Sequence, residues 1–286
     1  MKVYVCDQGS TNREAVRKLI EESGRTADNS FVVNGVKIFA IFDPPHLLKN
    51  FRNNFMVNDI HFEGGKIAKW EHIKALHKLQ SNSNLQCSSK LTEAHVNPNN
   101  RQKMRMFRAA QVLSKSVEDG LRTVSFWSGG DGIPNCSDTA DLVGTMGIMW
   151  DSVNGYVEKP DPKKLYRCPL TSVSPHLAYY PIAKDWMNSI QFKDKFNNTR
   201  RPPCQDDWVN LLESIPVVWR ELETLGFESL NLRDVNQDIV ENFFGCVRQV
   251  CGDNTNPTSE QYIAALKTVM LNKFSTRGIP RQKLRG

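Results

Sequence analysis

An α/β domain interrupted by a mainly helical one is the fold class this sequence predicts, on three observations. Residues 1–57 alternate strand and helix patterns. Residues 58–226 carry helical periodicity and almost no strand runs. Residues 227–286 return as two helices, the first of which carries paired carboxylates. The length of 286 residues, at roughly 150 residues per domain, leaves room for two domains. A hydrophobic fraction of 40% supplies enough apolar material to exclude wholesale disorder. The first and third segments are expected to pack together, with the second threaded between them.

Each element has a local reason. Lys2 to Cys6 is a short β-branched and aromatic run ending at Asp7-Gln8-Gly9-Ser10, a strand followed by a turn. Thr11 or Asn12 then caps a helix whose apolar face is Ala15, Val16, Leu19 and Ile20, stopped near Gly24. Asn34-Gly35, between Val32-Val33 and the apolar run from Val36 to Phe42, is a hairpin or strand-entry turn. Asp43 precedes Pro44-Pro45, a capping residue followed by prolines where a first helical turn tolerates them. That helix carries His46, Leu47, Leu48, Lys49, Phe51, Arg52 and Phe55.

The middle segment predicts helices over 70–79, 103–121, 139–153 and 208–225, joined by polar loops around 81–84, 128–132 and 159–162. The last segment predicts helices over 236–250 and 259–274, with Gly252 to Pro257 between them.

Composition narrows the function classes modestly. With 37 Lys+Arg against 31 Asp+Glu, the net charge is +6, which permits a polyanionic partner without demanding one. The opening residues reach Asp7 before an apolar stretch develops, and no run of 18 apolar residues follows. Neither a secretory signal nor a membrane-spanning helix is therefore expected. The seven cysteines form no Cys-x-x-Cys pair, and the six histidines show no zinc-type spacing. Reduced, mostly buried thiols of a cytosolic or nuclear protein are expected.

Four constellations could carry chemistry. Asp7 stands at the C-terminal end of a strand before a glycine turn, where open α/β sheets place functional groups, although propensity alone favours its shaping the turn or capping the next helix. Asp238 and Glu241 are three apart on a helix, with Asn242 next to them. They could offer oxygen ligands to magnesium, or simply face water while Ile239, Val240, Phe243, Phe244 and Val247 form the core. Arg101, Lys103, Arg105 and Arg108 could grip phosphates or make a solvated face. In Met149-Trp150-Asp151-Ser152-Val153-Asn154, Asp151 could accept two hydrogen bonds from a guanine edge, Asn154 could reach the same ring and Trp150 could stack on it. None of these patterns is decisive alone.

Together the segments resemble the P-element transposase family, including its THAP-domain relatives. The strings that carry the resemblance are Val5-Cys6-Asp7-Gln8-Gly9-Ser10-Thr11-Asn12, Phe42-Asp43-Pro44-Pro45-His46-Leu47-Leu48-Lys49 and Gln237-Asp238-Ile239-Val240-Glu241-Asn242-Phe243-Phe244-Gly245-Cys246-Val247-Arg248, with Asn256-Pro257-Thr258 following. The resemblance implies a partial RNase H-like domain over 1–57 and 227–286, split by a helical GTP-binding insertion over 58–226. It implies a nuclear DNA transposase that uses acidic residues and two magnesium ions for in-line phosphoryl transfer.

By position, Asp7 is similar to the second catalytic aspartate and Glu241 to the helical glutamate, both as metal ligands, with Asp238 as an accessory group. Asp43 is expected to cap its helix. Lys103 resembles a nucleotide-contacting lysine, and Trp150, Asp151 and Asn154 the guanine-reading segment. The GTP is implied to serve assembly and DNA positioning without hydrolysis, in keeping with the absence of a Walker A loop. DNA, GTP and, in the full-length form, further copies of the chain are the implied partners, with no membrane.

In this family the first catalytic aspartate lies upstream of the Asp7 string. This polypeptide is therefore expected to be inactive alone, as a fragment of a transposase. The alternative is a domesticated, non-catalytic remnant that binds GTP, DNA or both.

Overall fold

The computed structural model describes residues 2–26, 28–82, 91–127, 135–159, 162–252, 254 and 256–276. The loops expected at 81–84, 128–132 and 159–162 fall wholly or partly outside these residues, as does Cys87. The chain divides into two compact units, Met1–Asn236 and Gln237–Gly286.

The first unit opens with β1 (Lys2–Cys6), α1 (Ser10–Glu22), β2 (Ser30–Val33), β3 (Val36–Phe42) and α2 (Pro44–Phe55). β1 runs parallel to β3, with Cys6 opposite Phe42, and β2 runs antiparallel to β3, with Val33 opposite Val36. The hairpin is the expected one, because Asn34 (φ 50°) and Gly35 (φ 74°) both take the left-handed backbone that a tight two-residue turn requires. Asp43 caps α2 by accepting from the His46 amide at 3.0 Å, and its own amide donates to the Cys6 carbonyl at 2.9 Å. The α1 start differs from expectation. The helix begins at Ser10, and neither Thr11 nor Asn12 caps it. Of its predicted apolar face only Val16 and Ile20 are buried, because only that narrow stripe reaches the sheet.

The middle of the chain is not purely helical. β4 (Asp59–Phe62) and β5 (Lys66–Ala68) form a hairpin, and β4 also pairs with a later strand, β6, described below. Helices α3 (Trp70–Asn82) and α4 (Glu93–Val96) follow. The single helix expected over 103–121 is three pieces, α5 (Asn100–Lys103), α6 (Met106–Val112) and α7 (Lys115–Trp127). Arg105 and Leu113 leave the helical region at the two breaks. At the second break the Leu113 carbonyl packs against Gly147 of the next helix, α8 (Ser137–Val153), where a β-carbon would come within 3.3 Å.

Helix α9 (His176–Ser189) then leads through β6 (Gln191–Lys193) and β7 (Thr199–Arg200) into α10 (Pro203–Thr224). The second sheet has the order β5-β4-β6-β7. α10 packs against β3, α2 and α9, which joins the first sheet to the helical region. One apolar core accordingly runs from Cys6 to Leu232, with Trp208 and Trp219 of α10 fully buried in it.

The second unit is a helical pair, α11 (Asp238–Val250) and α12 (Ser259–Thr276), close to the predicted bounds. Its core is small: Val247, Ala265 and Val269, with Phe243, Cys246, Cys251 and Tyr262 around them. Ile239, Val240 and Phe244, expected in the core, are 57%, 53% and 40% exposed. One partner helix covers only one stripe of α11: Ile239 and Val240 lie off it, and Phe244 lies at its edge, its ring centroid 6.4 Å from that of Tyr262 on α12.

Candidate active site and nucleotide-binding segment

The parallel pairing of β1 with β3 brings two strand ends together, and with them Asp7 and Asp43. Asp7 Oδ1 accepts from the Gly9 amide at 2.9 Å and from Asn12 Nδ2 at 2.7 Å, so the residue expected to cap α1 orients the acid instead. Gly9 suits the close approach there, since a β-carbon would lie 3.0 Å from that oxygen. The Gly9 amide is the largest influence holding the Asp7 carboxyl below its ordinary range. Asn12 and the neighbouring His46 and Lys49 side chains add to it, against the opposing effect of burial. The first two turns of α2 face this loop: Asn50 Nδ2 donates to Gln8 Oε1, and His46 Nδ1 sits 2.9 Å from Asp43 Oδ2. Beneath them the Cys6 thiol is pushed up to about 11, first by burial and then by the charges of Asp7, Asp207 and Asp43.

Asp207, on the first turns of α10, has no counterpart among the expected site residues. Its side chain is 2% exposed, and Arg13 Nη2 lies 3.4 Å from Oδ1. Oδ2 is buried without a hydrogen-bond partner, and burial raises the carboxyl to about 6.

Asp238 and Glu241 stand in the first turn of α11, in the second unit, and share a helix face as the spacing implied. Asp7 belongs to the first unit. Among the described residues no three His, Cys, Asp or Glu side chains are gathered to hold a metal ion.

The nucleotide-segment residues lie on two elements. Trp150, Asp151 and Asn154 form the C-terminal end of α8. The Trp150 ring belongs to the core and is 9% exposed. Asp151 faces Arg167 Nε at 3.6 Å, and burial raises its carboxyl against the pull of Arg167 and Lys164. Asn154 ends the helix and accepts from Asn236 Nδ2 at 3.3 Å. The next residue, Gly155, lets the segment behind Asp151 close in. A β-carbon there would meet the Cys168 carbonyl at 2.4 Å, and the amides of Tyr156 and Val157 both donate to the Arg167 carbonyl at 2.8 Å.

Lys103 closes α5, and its carbonyl accepts from Arg52 Nη2 at 2.8 Å. Arg52 is fully buried, and its guanidinium is lowered to about 10 by burial and by the neighbouring Arg108. Among the described residues no acid pairs with Arg52, Arg101, Lys103, Arg105 or Arg108, and Arg52 Nη1 and Arg108 Nε are buried N–H donors without an acceptor. Sequence reasoning assigned Arg52 no role. Its only signal was a charged residue, like Lys49, inside the largely apolar stripe of α2. No hydrogen bond or ion pair joins Lys103 to Asp151 or Asn154 among the described residues.

Three comparisons place this geometry. The family model for the TNP-like, GTP-binding insertion domain matches residues 45–160, and that for the TNP-like, RNase H C-terminal domain matches 234–267. The Transposable element P transposase of Drosophila melanogaster is 27% identical over 271 residues, covering 93% of this chain. The chain spans 35% of that relative's length. The Drosophila P element transposase strand transfer complex has a similar fold, with a TM-score of 0.77 at 24% identity over 94% of this chain and 60% of that one. On its sequence strings, two domain matches and fold, the chain belongs to the P-element transposase family.

Proposed function

We propose that this chain is part of a nuclear DNA transposase in which an RNase H-like region, 1–57 with 227–286, carries strand chemistry and an insertion, 58–226, binds GTP. The observation that carries the nucleotide reading is the acid-free cluster of Arg52, Arg101, Lys103, Arg105 and Arg108, inside the stretch that matches the GTP-binding family model. Clustered cations without counter-acids are costly to keep, particularly when buried, and a polyphosphate relieves that cost. Asp151 supplies the complementary feature, a half-buried carboxylate held by a loose ion pair with Arg167 and the more distant pull of Lys164. In this reading Asp151 accepts from the guanine edge, Asn154 supports it, Trp150 fixes the helix end from the core and Lys103 meets phosphate.

The chain's part in strand chemistry rests on Asp7, Glu241 and the accessory Asp238. The Asp7 carboxyl is held ionised, and Oδ1 alone takes the two orienting bonds, which fits an oxygen ligand for magnesium. Glu241 is assigned as the other metal ligand. Magnesium bound there would activate a water or 3′-hydroxyl and stabilise the leaving oxygen. The chain's residues orient that carboxylate through Gly9 and Asn12 and hold positive charge near it through Lys49. DNA and further copies of the chain are the proposed macromolecular partners. Among the described residues no helix is long and apolar enough to cross a membrane.

Calorimetric titration of GTP against ATP tests the nucleotide reading. GTP is expected to bind about tenfold or more tightly, the discrimination a bidentate carboxylate contact gives. Asp151→Ala should erase the preference, whereas Lys103→Ala should weaken both nucleotides alike. Equal affinities in the unaltered protein would sink the guanine assignment.

A further inference from the structure

The β6–β7 hairpin and the chain leading from it into α10 carry none of the residues assigned above. The hairpin turn is fixed by Asp194, which accepts from the amides of Phe196 at 2.9 Å and Asn198 at 3.0 Å, while Asn197 takes the left-handed backbone (φ 63°). Arg200 Nη2 lies 3.0 Å from the same, nearly buried carboxylate. A turn held in this way projects Phe196 into water, 73% exposed, with Lys195 Nζ 4.9 Å from its ring centroid. Beside it opens a cavity of about 580 Å³, whose apolar surface comes from Phe196, the exposed Val57 and the Pro202-Pro203 pair. Lys195, Arg200 and Arg201 line it, against the single carboxylate of Asp194, which the turn already uses. Arg201 is taken by Asp206 and Asn188, so the positive charge on offer is that of Lys195 and of the largely exposed Arg200. The amides in the wall, Asn54 and Asn58, donate back to carbonyls of α2.

An exposed ring beside such cations fits a partner that is flat and anionic at once. A free phosphate would leave the ring unused, and a duplex presents phosphates but keeps its base faces stacked on one another. From this combination we infer that the β6–β7 hairpin binds a DNA strand with unpaired bases. A base stacks on Phe196, and the phosphates beside it meet Lys195 and Arg200, with no base edge read. The inference rests on the reading of the chain as part of a DNA transposase, and it names where and in what form DNA meets this region.

The test is titration of the chain with a labelled thymidine strand of about twelve nucleotides and with a duplex of the same length, followed by fluorescence anisotropy at several salt concentrations. Phe196→Ala should weaken the single strand about tenfold and leave the duplex unchanged, and Phe196→Trp should keep the unaltered affinity. An abasic strand should bind the unaltered protein as weakly as the thymidine strand binds Phe196→Ala. Lys195→Met should act through charge instead, making the logarithmic salt dependence of single-strand binding shallower by roughly 0.7, whereas Phe196→Ala should not change it. Because Phe196 lies in water, its truncation should leave the thermal midpoint unchanged, which separates lost stacking from lost folding. Unchanged single-strand affinity in Phe196→Ala, or an equal loss on the duplex, would overturn the proposal and leave the wider DNA reading standing. No binding of either form by the unaltered chain would overturn both.

Discussion

Asp7 and Asp207 both act on the Cys6 thiol, yet their environments push them in opposite directions. Asp7 is held low by the Gly9 amide and Asn12, whereas Asp207 is raised by burial from 3.8 to about 6. A raised folded-state value means that the native chain binds that proton more tightly than the unfolded chain. The contribution of Asp207 to stability is therefore fully present below about pH 4, declines as pH rises through about 6 and stays lost above it. The loss is on the order of 2–3 kcal/mol. Asp207→Asn removes the charge at nearly constant shape. It should raise the thermal midpoint at about pH 7.5 by roughly 2–4 °C per kcal/mol recovered, with the advantage gone near pH 4. Melts across that range check it, and a constant difference at every pH would refute it. Asp7 was legible in the sequence because a strand end and a glycine frame it. Asp207 was not, because Asp206-Asp207 reads as the solvated first turn of a helix. Burial there is decided by α1 and β3, whose sequences lie far upstream.

Gly155 shows what an element boundary does for the site around Asp151. It ends α8 where the chain must pass beneath the Cys168, Tyr166 and Arg167 backbone, with 2.4 Å left for any β-carbon. Gly155→Ala should force the 162–168 turn outward, stretching the Asp151–Arg167 pair and the two amide bonds to the Arg167 carbonyl. A destabilisation of about 2 kcal/mol or more is expected from such overpacking against backbone. Denaturant unfolding measures it, with Gly35→Ala in the left-handed hairpin turn as a milder comparison at about 1 kcal/mol.

Long periodic helices such as α3, α8 and α10 were legible because their apolar stripes persist for several turns. So were β1 and the Asn34-Gly35 hairpin, since both are local. The second sheet was not. Its strands are two to four residues long, and β4 finds its partner β6 across most of the middle segment. α9 was hidden by Pro181, which reads as a helix breaker. The three-way break of 103–121 was hidden because each short helix keeps the same periodicity, while α8 imposes the turns between them.

The two units differ in how much apolar surface each can remove from water. The first shares one core from Cys6 to Leu232, whereas the second rests on Val247, Ala265 and Val269 and leaves Ile239, Val240, Ile263 and Leu271 at least half exposed. Buried apolar area is the main term opposing chain entropy, so a helical pair with three fully buried side chains is marginal alone. Local stability should follow this difference. All six tryptophans precede residue 237, so their fluorescence reports the first unit alone, whereas far-ultraviolet circular dichroism also sees α11 and α12. On heating, part of the helical signal should be lost before the tryptophan emission changes. Hydrogen exchange should find the α11 and α12 amides the less protected. Val247→Ala should move only the early transition, while Leu47→Ala, in the first core, should move only the late one, by about 2–5 kcal/mol. Coincident curves by both probes would instead mean that Gln237–Gly286 draws its stability from the rest of the chain. The Glu241 carboxylate would then be held as firmly as Asp7.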